Sequence, residues 1–144
     1  MSIEPSARAQ SAAGYNGSPW RGAVQRGILV IEDHADTLWA ICALLDLEGH
    51  NVDQAMNGLH GLRAILAGSY DIALVDLNLP GISGYELARR TRAAGKPIVL
   101  IAFTGAGLDR DEELAYEAGF DAFVIKPVSD QALLALVNDP PRRR

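Results

Sequence analysis

Five continuous apolar runs, each followed by a segment with helical periodicity, constrain the fold of this 144-residue chain more than any other feature. Continuous rather than alternating apolar residues are typical of strands buried on both faces of a parallel sheet. The predicted strands are residues 27–33, 51–56, 71–76, 96–103 and 121–126. Glycines stand where the intervening helices should end, at Gly49, Gly68, Gly95 and Gly119. The pattern predicts an α/β fold, with a doubly wound parallel sheet and helices on both faces.

The ends of the chain differ in composition from the body. Residues 1–26 are rich in Ser, Ala and Gly without a sustained period, which indicates a mobile N-terminal extension. Residues 140–144 form a basic C-terminal tail. The body, residues 27–139, holds 7 Lys and Arg against 17 Asp and Glu, a net charge of −10. Because such a surface repels phosphates, we expect no nucleic-acid partner.

The sequence predicts a cytoplasmic protein without membrane contact. No apolar run approaches the roughly 18 residues of a transmembrane helix, and the N-terminus lacks the apolar stretch of a secretory signal. The single cysteine, Cys42, stands beside Ile41 and Leu45 in a helical pattern. This position predicts a packed thiol rather than a redox or metal-binding residue.

Polar residues stand at the carboxyl ends of the predicted strands, the edge where open parallel sheets bind ligands. They are Glu32 and Asp33 after the first strand, Asp76 after the third, Thr104 after the fourth and Lys126 after the fifth. Singly, Asp33 could cap a helix, Asp76 could open a turn, and Lys126 could be a surface charge. Together, however, like charges about 4 Å apart repel by about 4 kcal/mol at an effective dielectric near 20. Such a cluster requires compensation.

A divalent cation would satisfy three carboxylates, and oxygen ligands favour Mg²⁺ over zinc. The cation and the ammonium of Lys126 would together balance the three negative charges. A hard cation beside a carboxylate, with the hydroxyl of Thr104 nearby, suits phosphoryl transfer, because that reaction depends mostly on positioning and charge neutralisation. The carboxylate can itself be the nucleophile and form an acyl phosphate.

The ordered set of motifs resembles the receiver domain of bacterial two-component response regulators. It comprises the acidic pair of "IED", the turn "DLNLPGISG", the threonine of "FTG" and the "KP" after the fifth strand. The resemblance extends from Gly27 to about Asn138. It implies a flavodoxin-like sheet with the strand order 2-1-3-4-5. It also implies a phosphoryl-accepting signalling switch that dephosphorylates itself and is not a metabolic enzyme.

The resemblance assigns roles around the acceptor. Asp76 would take the phosphoryl group from the phosphohistidine of a sensor histidine kinase or a histidine phosphotransfer protein. Asp33 and Asp76 would bind Mg²⁺ with the backbone carbonyl of Asn78, and Glu32 would act through a coordinated water. Thr104 would contact the phosphoryl oxygens, and so would Lys126.

The resemblance also implies a conformational switch. Thr104 would move toward the phosphate, and Phe123 would follow into the vacated space. This movement would remodel the face formed by the fourth helix, fifth strand and fifth helix, which would control a downstream partner that the sequence does not identify. The alternative for Phe123 is an ordinary core residue. The resemblance further implies a cis peptide bond between Lys126 and Pro127, a geometry that proline makes accessible.

Two other functions use related features. A Mg²⁺-dependent aspartyl-phosphate phosphatase of the haloacid dehalogenase type also uses Asp, Thr and Lys. That family places its nucleophile after the first strand in an Asp-x-Asp pattern, whereas Asp76, Leu77 and Asn78 follow the third strand here. A flavin-binding module would need a phosphate-cradling loop after the first strand, where "EDHAD" places carboxylates instead. Within that segment, His34 adjoins the acidic pair and could tune its electrostatics, although a solvated histidine is favoured.

The sequence shows no output domain after Asp139, which predicts a stand-alone receiver or a receiver from a larger protein. The segments "AFTGAG" and "EAGFDAFVIKPVSDQALLALV" resemble receivers attached to hybrid sensor kinases.

Overall fold

A computed structural model describes residues 24–105 and 110–142, which form a five-stranded parallel sheet between two layers of helices. The strands are β1 (Gly27–Ile31), β2 (Asn51–Ala55), β3 (Ile72–Asp76), β4 (Val99–Thr104) and β5 (Ala122–Ile125). The helices are α1 (Ala35–Leu47), α2 (Gly58–Ala67), α3 (Gly84–Ala93), α4 (Asp111–Ala118) and α5 (Asp130–Asn138). The strand order β2-β1-β3-β4-β5 confirms the predicted doubly wound fold.

Some of the predicted features lie outside the described residues. They are residues 1–23 of the N-terminal extension, residues 106–109, which include the predicted start of the fourth helix at Asp109, and residues 143–144 of the basic tail. Among the helices that the structure describes, none has the length and apolar character needed to cross a bilayer.

The sheet separates two apolar clusters, because successive side chains of a strand point to opposite faces. Leu29 and Ile31 of β1 pack beneath α2, α3 and α4. Ile28 and Val30 pack beneath α1 and α5. The central strand β3 is buried along its whole length. Burial on both faces explains why the strands are continuously apolar in the sequence.

The strand bounds differ from the sequence prediction by one residue at several ends and by more at the end of β1 and the start of β4. β1 ends at Ile31, so Glu32 and Asp33 lie in the loop that follows, although the N–H of Glu32 still donates to the carbonyl of Ala55 at 3.0 Å. β4 begins at Val99 rather than at residue 96. Pro97 has no N–H to contribute to the strand pairing, which delays the start of β4.

Arg26 attaches the chain to the body just before β1. Its backbone N–H donates to Nδ1 of His50 at 3.1 Å, and its guanidinium donates to the carbonyl of Asn138 at 3.2 Å. Burial lowers the pKa of His50 below its usual value, which favours the neutral ring that can accept this hydrogen bond. The residue before β1 is therefore joined to the end of α5.

Cys42 is partly buried on α1 and packs against the cluster beneath α1 and α5. Burial, followed by the negative charges of Asp46 and Asp53, raises the pKa of the thiol to about 11. The thiol is therefore protonated at neutral pH and is a weak nucleophile.

Gly84 places the first turn of α3 directly against the end of β3. A Cβ atom here would lie 2.5 Å from the carbonyl oxygen of Asp76 and 2.8 Å from the Cα of Leu77. Both are backbone atoms, so they could move only with β3 itself. We expect Gly84→Ala to lower the free energy of unfolding by about 1 to 3 kcal/mol, measured by urea denaturation.

Gly105→Ala is the matched control, because a Cβ at that position would meet no atom of the described residues within 4 Å, its chain neighbours aside. It should leave stability unchanged or raise it slightly. Equal stability of the two variants would contradict the tight packing of α3 on β3.

Candidate functional site

The carboxyl edge of the sheet brings together the polar residues that the sequence analysis singles out. Glu32 and Asp33 follow β1, Asp76 and Thr104 are the last residues of β3 and β4, and Lys126 follows β5. Because β1, β3, β4 and β5 lie side by side in that order, these positions share one edge.

Three carboxylates form an acidic cluster at this edge. Glu32, Asp33 and Asp76 each offer an oxygen atom, and these atoms all lie within 4.8 Å of one another. Glu32 is fully buried and Asp76 is 6% exposed, whereas Asp33 is exposed to solvent. An all-oxygen donor set with one member open to water fits Mg²⁺, which retains several waters when bound. It does not fit zinc, which prefers nitrogen and sulfur ligands.

Lys126 places a positive charge within this cluster. Its ammonium forms a close ion pair with Oε1 of Glu32 and lies 3.2 Å from Oδ2 of Asp76. Burial by itself lowers the pKa of Lys126, but the hydrogen bond to Glu32 and the charges of Asp76 and Glu32 outweigh burial and raise it. The ammonium is therefore charged and neutralises part of the cluster.

The main chain fixes the origin of the Lys126 side chain. The backbone N–H of Lys126 donates to the carbonyl of Thr104 at 2.8 Å, which joins the residue to the end of β4. The peptide bond between Lys126 and Pro127 is cis, which confirms the geometry that the family resemblance implies.

Asp76 has a defined environment at the end of β3. Its Oδ1 accepts a hydrogen bond from the backbone N–H of Asn78 at 3.0 Å, while Oδ2 faces Lys126. Asp76 therefore opens the turn, which is the structural role that the sequence allows for it, and it also belongs to the acidic cluster. The side-chain amide of Asn78 lies 3.5 Å from Oγ1 of Thr104, a long contact across the site. Binding of a metal by the Asn78 carbonyl stays a prediction.

His34 supports the cluster in a way that the sequence analysis missed. Its backbone N–H donates to Oε2 of Glu32 at 3.1 Å. Its exposed ring caps α1, because Nδ1 accepts from the N–H of Thr37 at 3.4 Å. His34 rather than Asp33 is thus the helix cap. Nearly every residue type has a backbone N–H, so the identity of His34 does not indicate this hydrogen bond. Only its position after the acidic pair could have indicated it.

The two predicted switch residues lie on neighbouring strands. Thr104 is buried at the end of β4. Phe123 on β5 pairs in register with Ala102 and is only partly buried, against the cluster beneath α2, α3 and α4. The structure also places the ring of Phe103 against Lys126, a contact that the sequence analysis missed because Phe103 has the pattern of an ordinary strand residue.

Comparisons with known sequences point in one direction. The family profile of the response regulator receiver domain matches residues 28–138. Transcriptional regulatory protein DltR of Streptococcus agalactiae serotype III (strain NEM316) is 37% identical over 111 residues, which cover 77% of this chain and 50% of DltR. Virulence sensor protein BvgS of Bordetella parapertussis is 34% identical over 149 residues, which cover 98% of this chain and 12% of BvgS. The chain thus spans half or less of the length of each of these relatives.

Solved structures show the same similarity. The receiver domain of sensor histidine kinase PA1611 from Pseudomonas aeruginosa PAO1, crystallised with a magnesium ion coordinated in its active site cleft, is 29% identical with a TM-score of 0.73. The match covers 79% of this chain and 95% of that domain. A CheY-like response regulator receiver domain protein from Methanospirillum hungatei JF-1 is 28% identical with a TM-score of 0.75, over 79% of this chain and 91% of that one.

The acidic cluster predicts that Mg²⁺ stabilises the fold. A cation that binds only the folded state raises the free energy of unfolding by about 2.7 kcal/mol at 100 times its dissociation constant. We expect a rise in melting temperature on adding MgCl₂, and we expect Asp33→Ala to remove most of it. Thermal unfolding with and without MgCl₂ measures both effects.

Asp36→Ala is the control, because Asp36 is an exposed carboxylate on α1 outside the cluster. It should keep the full response to MgCl₂. A response of Asp33→Ala that equals that of the unmodified protein would exclude Asp33 as a ligand.

Proposed function

Because this chain belongs to the family of response regulator receiver domains, we propose that Asp76 is the residue at which it accepts a phosphoryl group. Domains of this family are phosphoryl-accepting signalling switches and not metabolic enzymes. One observation carries the assignment of Asp76. Its carboxylate ends the central strand β3, within the acidic cluster and 3.2 Å from the ammonium of Lys126.

Asp76 has the features of an oriented nucleophile. The N–H of Asn78 holds Oδ1, and the ammonium of Lys126 holds Oδ2. In the transfer, a carboxylate oxygen of Asp76 forms a bond to phosphorus while the bond from phosphorus to the donor breaks and the donor keeps the electron pair. The product is an acyl phosphate on Asp76, whose phosphoryl oxygens Lys126 and Thr104 contact.

Mg²⁺ is the proposed cofactor, since the donor set fits it. Asp33, Asp76 and the carbonyl of Asn78 would hold the ion, with Glu32 acting through a bound water. When bound, Mg²⁺ supplies charge neutralisation for the phosphoryl group. His34 has a supporting role, because its N–H holds the Glu32 carboxylate at this edge of the sheet.

The phosphoryl donor that we propose is the phosphohistidine of a sensor histidine kinase or of a histidine phosphotransfer protein. Support comes from the similarity to segments of two sensor proteins, BvgS and PA1611. We further propose that water hydrolyses the acyl phosphate at the same site, which returns the domain to its resting state.

The output signal is proposed to run through Thr104 and Phe123 to the face formed by α4, β5 and α5. The hydroxyl of Thr104 has a contact of 3.5 Å from the Asn78 amide, which is weak enough for the hydroxyl to turn toward a phosphoryl oxygen. Phe123 is only partly buried and so has room to change its packing. The partner protein would bind this face, where Ile125 on the edge strand β5 is 52% exposed.

The haloacid dehalogenase type of phosphatase has no support here. Asp76 ends the third strand along the chain rather than the first, and the residue two positions later is Asn78 rather than an aspartate. Nothing in the comparisons favours that function.

Incubation with Mg²⁺ and acetyl phosphate tests the proposal. Intact mass spectrometry should show one added phosphoryl group, and Asp76→Asn should reduce the labelled fraction at least about tenfold, because the amide that replaces the carboxylate is not a nucleophile. Asp36→Asn, which changes an exposed carboxylate outside the cluster, should label like the unmodified protein. Equal labelling of Asp76→Asn would rule out Asp76 as the acceptor.

A further inference from the structure

We propose that Phe103 is a positioning residue that holds the ammonium of Lys126 at the acceptor site through its aromatic face. This inference rests on the proposed function, because it specifies how that site is assembled. Phe103 is the penultimate residue of β4, directly before Thr104, and is 4% exposed.

The geometry is that of a cation–π contact. Nζ of Lys126 lies 4.7 Å from the centroid of the Phe103 ring, within the roughly 6 Å over which the ring quadrupole attracts a cation. The same ammonium contacts Glu32 and Asp76. The negatively polarised face of the ring therefore adds a third attractive partner for the ammonium. The ring carries no net charge and accepts no conventional hydrogen bond.

β4 holds Lys126 at both ends of its side chain. The carbonyl of Thr104 accepts the Lys126 N–H at 2.8 Å, which fixes the main chain. The neighbouring residue Phe103 lies in register with Asp76 across β3 and β4, so its ring originates beside the acceptor. Two consecutive residues of β4 thus fix the two ends of Lys126: Thr104 contacts its backbone N–H, and Phe103 contacts its ammonium.

An aromatic ring has a specific advantage at this position. The Lys126 side chain is 23% exposed, so water compensates only part of the desolvation of its charge. A leucine would pack against the lysine stem but would offer no electrostatic attraction to the ammonium. The ring offers that attraction and leaves the N–H groups available to oxygen atoms.

This property matters when the charges of the site change. A phosphoryl group on Asp76 would bring new oxygens to the ammonium, and Glu32 would turn to a bound cation. Both carboxylate contacts of Lys126 would therefore be rearranged, whereas the ring contact requires no rearrangement. Phe103 is the fixed neighbour that keeps Lys126 directed at the phosphoryl oxygens throughout.

The variants Phe103→Leu and Phe103→Tyr separate the aromatic face from the packing volume. Tyr keeps the aromatic face, and Phe103 lines a groove of about 570 Å³ between α1 and α5 that offers space for an added hydroxyl. Phe120→Leu is the matched control, because Phe120 is fully buried in the other cluster, before β5 begins. It loses the same ring at a site remote from Lys126.

The first measurement is the chemical shift of the lysine ε-methylene protons in the full chain. The chain has two lysines, so Lys96 serves as an internal reference. We expect an upfield ring-current shift for Lys126 that Phe103→Leu removes and that Phe103→Tyr and Phe120→Leu retain. A Lys126 signal that does not respond to Phe103→Leu would overturn the proposal.

The second measurement is the initial rate of labelling by acetyl phosphate with Mg²⁺. We expect Phe103→Leu to slow it about three- to tenfold, the effect of losing a partly buried cation–π contact, and Phe103→Tyr to restore it. Unchanged labelling of Phe103→Leu, or equal slowing by Phe120→Leu, would overturn the positioning role. Failure of the unmodified protein to label would instead refute the proposed function, and the chemical shifts would still decide whether Phe103 holds Lys126.

Discussion

Lys126 forms ion pairs with Glu32 and Asp76, and these pairs offset the repulsion between the carboxylates at one edge of the sheet. Glu32 is fully buried, and a buried carboxylate that loses its partner costs several kcal/mol, more than a buried ion pair itself contributes to stability. The apolar core must therefore supply the stability that holds the cluster together. The cluster exists because β1 and β3 are neighbours and the turn after β5 brings a lysine back across β4.

The remainder of the molecule gives this edge a rigid base. The core on both faces of the sheet supplies the stability, and the absence of a Cβ at Gly84 lets α3 begin against the end of the strand that carries Asp76. At the opposite edge, Arg92 on α3 pairs with Asp121 at 2.8 Å, and that carboxylate also accepts the N–H of Leu100. This partly buried ion pair joins α3 to the starts of β4 and β5. The conformational change that we propose would therefore involve side chains such as Thr104 and Phe123.

The sequence predicted those parts that depend on local pattern. Continuous apolar runs predicted the strands, and the rule for parallel sheets predicted that Asp76 and Lys126 lie at one edge. Partners distant along the chain could not be predicted in this way: the pair of Arg92 and Asp121 is 29 residues apart. The same holds for Phe103, since strand periodicity indicates which face a ring occupies and not which cation it meets. Local exceptions such as the late start of β4 depend on single residues, here the missing N–H of Pro97.

The identity of the phosphorylated residue tests the central claim most directly. Borohydride reduces the acyl phosphate of an aspartate to homoserine, so reduction after labelling leaves a permanent mark at the acceptor. Peptide mapping by mass spectrometry should find homoserine at position 76 and at no other aspartate, with Mg²⁺ required for its formation. Homoserine at Asp33 or at any other position, with an unmodified Asp76, would contradict the assignment of Asp76 as the residue that receives the phosphoryl group.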